Sequence, residues 1–138
     1  MITVQQYYMG RDVEYKSELT EQLRKNAELT VALANKLLIH ALNNGVYPVL
    51  NANKSFVRSG WRPPAVNRDT PNAAPRSNHM TCEAIDIEDN DGDLDEWCLN
   101  HLSVLEDIGL WMEHPAATKS WCHLQTKAPR SGRRVFNP

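Results

Sequence analysis

From Thr20 onward the apolar residues Leu23, Ala27, Val31, Ala34, Leu37 or Leu38, and Ala41 recur every three to four positions, the spacing that lines one side of an α-helix. Thr20 is placed to cap the start and Gly45 to end it, so the pattern predicts a long amphipathic helix over residues 20–44. Lys25, Glu28 and Lys36 fall on its wet side, which marks it as scaffold. A second helical pattern, with Leu94, Trp97, Cys98, His101, Leu102, Leu105 and Ile108 on one side, follows the Asp91-Gly92 turn and stops at Gly109. Alternation with a period of two marks the strands. Ser55–Trp61 reads as one, Cys82–Glu88 as another with Ile85 and Ile87 opposite Ala84, Asp86 and Glu88, and Ser120–Thr126 as a third. In the third, Trp121, His123 and Gln125 share a face and Cys122 and Leu124 the other.

Three stretches carry no such period. Residues 1–16 are polar and aromatic, and are expected to lie as an arm over the domain. Residues 63–78 hold four prolines and two arginines and read as a long loop, a feature that in a small domain is usually functional or mobile. Residues 127–138 read as a basic tail. With 138 residues, of which 41% are hydrophobic, the chain suits a single domain over residues 1–138 with a core that needs no disulfides.

The net charge of −2 gives no reason to expect a nucleic-acid partner. Charge is nevertheless segregated: Glu83 to Glu96 carries eight acids and no base, whereas Lys119 to the end carries five bases and no acid. Two solvated faces of opposite sign account for this. The three cysteines, Cys82, Cys98 and Cys122, form no CxxC pair and read as small buried hydrophobes in a reducing compartment. The first residues lack a basic region followed by an apolar stretch, and no run is long enough to insert in a membrane. Asp89-x-Asp91-Gly92 superficially suggests a calcium loop, but the register would put Ile87 and Cys98 where acids are required.

The stretch from Ser77 to Asp86 carries the most chemistry. A strand rising from the His79 loop can bring Asp86 to the same point as the imidazole, and His123 on a neighbouring strand would make a third ligand with one coordination position left for water. The same residues also fit ordinary places. Asp86 suits the outward face of an alternating strand, His79 a solvated loop, and His123 a half-buried histidine bonded to backbone.

In this order, Ser59-Gly60-Trp61-Arg62, Ser77-x-His79-x6-Asp86 and Trp121-x-His123 resemble the peptidase M15 family, the zinc D-Ala-D-Ala carboxypeptidases and phage L-alanyl-D-glutamate endopeptidases. The likeness spans residues 59–125. The family's SxHxxGxAxD pattern is met at Ser77, His79, Ala84 and Asp86, with Cys82 at the usual glycine. The resemblance implies an α+β fold in which a small antiparallel sheet carries a zinc site and the helices of residues 20–44 and 94–108 pack against it. It implies His79, Asp86 and His123 as zinc ligands, and Arg62 as the residue that binds a substrate carboxylate or polarises the scissile carbonyl.

Many members carry an acid three residues before the last ligand, where Ser120 stands here, and some relatives place a catalytic residue further upstream. Glu113 is therefore the expected general base, with His114 beside it as the alternative, on a helix-to-strand loop. The implied function is zinc-dependent hydrolysis of an amide bond in the peptidoglycan stem peptide by a monomeric phage endolysin or virion-associated lysis enzyme. Such an enzyme accumulates in the host cytoplasm and acts on the wall after release. The alternative, supported by Ser120, is a catalytically silent wall-binding or structural virion module that keeps the fold.

Overall fold

The computed structural model describes all of residues 1–138 and has an α+β architecture. The chain opens with two short helices, α1 (Val4–Tyr8) and α2 (Arg11–Glu14). Thr3 and Gln6 cap α1 reciprocally, and Asn35 ties Ile2 down through both of its amide ends. These residues are not an arm. Tyr7 and Tyr8 are core residues, and the Tyr7 hydroxyl donates to the Ala84 carbonyl at 2.8 Å. An aromatic-rich segment without a period is still apolar surface that gains by burial, roughly 1.5–3 kcal/mol for each large side chain.

The long helix α3 (Glu21–Asn43) starts where Thr20 Oγ1 accepts the Leu23 amide and ends before Gly45, whose φ of +84° closes the last turn. It buries Ala27, Val31, Ala34, Leu37, Leu38 and Ala41, as its periodicity requires. Strand β1 (Val57–Ser59) follows, and then Gly60, where a Cβ would run into the Tyr7 carbonyl. Glycine is needed there for close approach of two backbones. Within the expected loop of residues 63–78 lies a helix, α4 (Pro64–Asp69). Its prolines stand at the start, where the fixed φ favours a helix and the missing amide costs nothing, so they begin this element.

Strand β2 (Ala84–Glu88) leads through the Gly92 turn into α5 (Asp93–Leu99) and α6 (Leu102–Ile108). The single helix expected over residues 94–108 is thus two. His101 interrupts it with a non-helical backbone, its ring stacked on Trp97 and its Nδ1 2.7 Å from the Trp97 carbonyl oxygen. The expected helix-to-strand loop at Trp111 is instead strand β3 (Trp111–Glu113), followed by β4 (Trp121–Gln125).

The expected basic tail contributes β5 (Val135–Phe136), which pairs parallel to β3 and completes a sheet of order β1-β2-β4-β3-β5. The other pairings are antiparallel, so the sheet is mixed only at this edge. Arg134 anchors the edge by lying over the Trp111 ring and donating to the Leu110 carbonyl at 2.8 Å.

Alternation along the strands separates two faces. Ile85, Ile87, Met112, Cys122 and Leu124 are fully buried and join the core beneath α3, α5 and α6. Asp86, Glu113, His123 and Gln125 lie on the other face. The three cysteines are free and buried, and no helix is long and apolar enough to cross a membrane.

Candidate metal centre

Asp86 and His123 are directly opposed in the β2–β4 register, which places a carboxylate and an imidazole on one face of the sheet. His79 reaches the same point from a compact turn. Its amide is held by Ser77 Oγ at 3.2 Å, while the Met80 amide returns to the Ser77 carbonyl and the Glu83 amide to that of Asn78. Cys82 completes the turn at φ +59°, a left-handed backbone that glycine adopts freely and other residues rarely do. Cysteine in the glycine position of the pattern therefore keeps the turn, and its side chain is buried.

The resulting cluster is tight. One donor atom from each of His79, Asp86 and His123 lies within 4.8 Å of the others, and all three residues are buried. His79 Nδ1 is 2.9 Å from the Gly60 carbonyl oxygen, which can only accept, so that nitrogen carries the hydrogen. The other nitrogen, Nε2, then turns toward Asp86 Oδ2 at 3.3 Å. Burial lowers the pKa of His79 against the pull of Asp86, which favours the neutral ring. A lone pair facing a carboxylate oxygen at that distance suits a cation shared between them, and the cluster could hold a metal ion.

Electrostatics support an anionic Asp86. Burial works against its ionisation, but at the low pH where Asp86 would titrate the imidazoles are protonated, and the charge of His79 with the hydrogen bonds from His123 and His79 outweighs burial and holds the carboxyl well below the usual range. For His123, burial is likewise overcome by the bond to Asp86, and its pKa rises. Arg62 adds a positive charge, with Nη2 3.3 Å from Asp86 Oδ2 and Nε donating to Ser59 Oγ at 2.9 Å.

The cluster opens on a cleft of about 280 Å³ that is also lined by Arg62, Glu113, Trp121 and Phe136. Glu113 points its Oε2 at His123 Nδ1 from 3.9 Å, and burial raises its pKa although His123 opposes the shift. His114 does not enter the cleft; it is exposed and its Nδ1 accepts the Ala116 amide to cap a short 3-10 turn. Ser120 is also turned away, its hydroxyl accepting from Arg58 at 2.7 Å.

Comparison with family models, with curated proteins and with solved structures finds no match. What the geometry itself shows is a buried cluster that could hold a metal ion. His79, Asp86, His123, Arg62 and Glu113 meet around one cleft, and of the candidate ligands and catalytic residues singled out in the sequence His114 alone stays outside it.

Two further participants were not singled out. Phe136 packs edge-on against His123, with ring centroids 6.1 Å apart, and gave no signal because its strand has two residues. Gln125 lies 3.0 Å from His123 Nε2 through its Oε1. Its signal was the alternation that puts it on the His123 face.

Proposed function

We propose that the protein is a zinc-dependent peptidase that hydrolyses an amide bond in the stem peptide of peptidoglycan. The observation that carries this reading is the Glu113 carboxylate standing beside a buried His79–Asp86–His123 cluster that opens on a cleft. Two imidazole nitrogens and one carboxylate oxygen form a donor set that suits zinc, and three protein ligands leave room for substrate or water. Zinc bound there would polarise a carbonyl and acidify a water molecule.

The chain's own residues supply the remaining functions. Glu113 is half-buried with a raised pKa, so it can take a proton from water at Oε2 and pass it to the leaving amine. Arg62, fixed by Ser59 and Asp86 at the cleft wall, presents a planar guanidinium to a substrate carboxylate. The wall substrate and the phage lysis setting follow from the resemblance carried by Ser59 to Arg62, Ser77 to Asp86, and Trp121 to His123.

The test is to load the purified protein with zinc and add it to purified peptidoglycan with and without chelator. The proposal expects one zinc per chain and chelator-sensitive release of new amino groups. Zinc uptake without release would overturn the peptidase reading in favour of a silent wall-binding module.

A further inference from the structure

We propose that Gln125 is a positioning residue for the metal centre: its amide oxygen holds the Nε2 hydrogen of His123 and so presents Nδ1 to the metal. This rests on the reading of His79, Asp86 and His123 as a zinc site.

A glutamine amide has a donor end and an acceptor end of nearly the same shape, and the partner of one end decides what the other can do. Gln125 Nε2 donates to the Lys127 carbonyl at 2.7 Å, since a carbonyl oxygen can only accept. The amide oxygen is thereby turned toward His123, 3.0 Å from its Nε2. That oxygen also only accepts, so His123 Nε2 carries a hydrogen and has no lone pair to offer an ion.

The remaining nitrogen is the one inside the cluster. Without metal, His123 Nδ1 shares a proton with Asp86 Oδ1 at 2.8 Å, and it lies 3.9 Å from Glu113 Oε2; a bound ion would displace that proton and take the Nδ1 lone pair. His79 is arranged in the opposite sense, with Nδ1 engaged by the Gly60 carbonyl and Nε2 facing Asp86. The two imidazoles thus offer different nitrogens, each selected by an acceptor behind the ring. Gln125 is 3% exposed, so the contact is shielded from water that could replace it. Such partners behind a ligating histidine typically contribute about 10–100-fold in metal affinity.

The experiment compares zinc affinity, by competition with a chromophoric chelator, for the wild type, Gln125→Met and Gln125→Glu. Both variants lose the donor to Lys127, and only Gln125→Glu keeps an acceptor for His123. Methionine is expected to weaken zinc binding about 10–100-fold, and glutamate to stay within a few-fold of wild type. Long-range proton–nitrogen correlation spectra of the zinc-loaded wild type are expected to show His123 with hydrogen on Nε2 and zinc on Nδ1. This readout needs no variant to fold.

Gln125→Met binding zinc as tightly as wild type, equal weakening of both variants, or coordination through His123 Nε2 would overturn the role of Gln125 while leaving the zinc site intact. A wild type that takes up no zinc overturns the zinc site and this role together.

Discussion

Asp86 and His123 face each other across the central strand pair β2–β4, with Asp86 Oδ1 2.8 Å from His123 Nδ1. The register alone brings them together, and every other group of the site is arranged around this pair. The Gly60 carbonyl orients His79 toward it from one side, and Glu113 approaches from the neighbouring strand β3.

Glu113→Gln removes the proton acceptor while keeping the shape of the side chain. Release of amino groups from peptidoglycan should fall by about 10²–10⁴-fold, the usual contribution of a positioned general base. Zinc per chain should be unchanged. A variant with full turnover would exclude Glu113 as the base.

Arg62→Lys tests whether a fork or merely a positive charge is needed. Lysine cannot donate to both Ser59 and Asp86 and still present a planar pair of N–H groups to a substrate. Loss of one charge-assisted bond predicts a fall in kcat/KM of about 10–100-fold, with zinc retained. Steady-state kinetics on a soluble stem-peptide substrate would measure it.

Much of this site was legible in the sequence because strands alternate. Once residues 84–88 and 121–125 are strands, Asp86 and His123 must leave the core face, and the spacing to His79 does the rest. Elements shorter than one pattern repeat were not legible. Three residues at Trp111–Glu113 and two at Val135–Phe136 are too few to show a period, so a strand read as a loop and a sheet edge as a tail. The helix Pro64–Asp69 was hidden by prolines that stop a helix from within but start one from its first turn. Tyr7 is buried against partners distant in sequence, with its hydroxyl on the Ala84 carbonyl and its backbone close to Gly60, and these leave no local signal.

Gly60→Ala should destabilise the protein by about 1–3 kcal/mol, because the added methyl must displace the Tyr7 backbone. The same shift would disturb the carbonyl that orients His79, so zinc affinity should fall together with the midpoint of denaturant unfolding. An alanine variant of unchanged stability would contradict the close approach of these segments.

Asp95 gives the fold a pH dependence on the core side of the sheet. It is buried, accepts from Thr118 Oγ1 at 3.0 Å, and has no partner for its other oxygen. Burial raises its pKa to about 6. Between its unfolded value, near 4, and its folded value the native state holds the extra proton, so this group's contribution to stability falls as pH rises through that window. Asp95→Asn should therefore add on the order of 2 kcal/mol at pH 8 and nothing comparable at pH 4. Urea unfolding at the two pH values would show the difference, and equal effects at both would refute it.

If His79, Asp86 and His123 form one metal centre, zinc stoichiometry by native mass spectrometry must separate the wild type from His79→Ala. One zinc is expected on the wild type and none on the variant at the same free zinc, with unchanged far-ultraviolet circular dichroism in both. A folded His79→Ala protein that keeps its zinc, or a wild type that takes up none, would contradict such a centre.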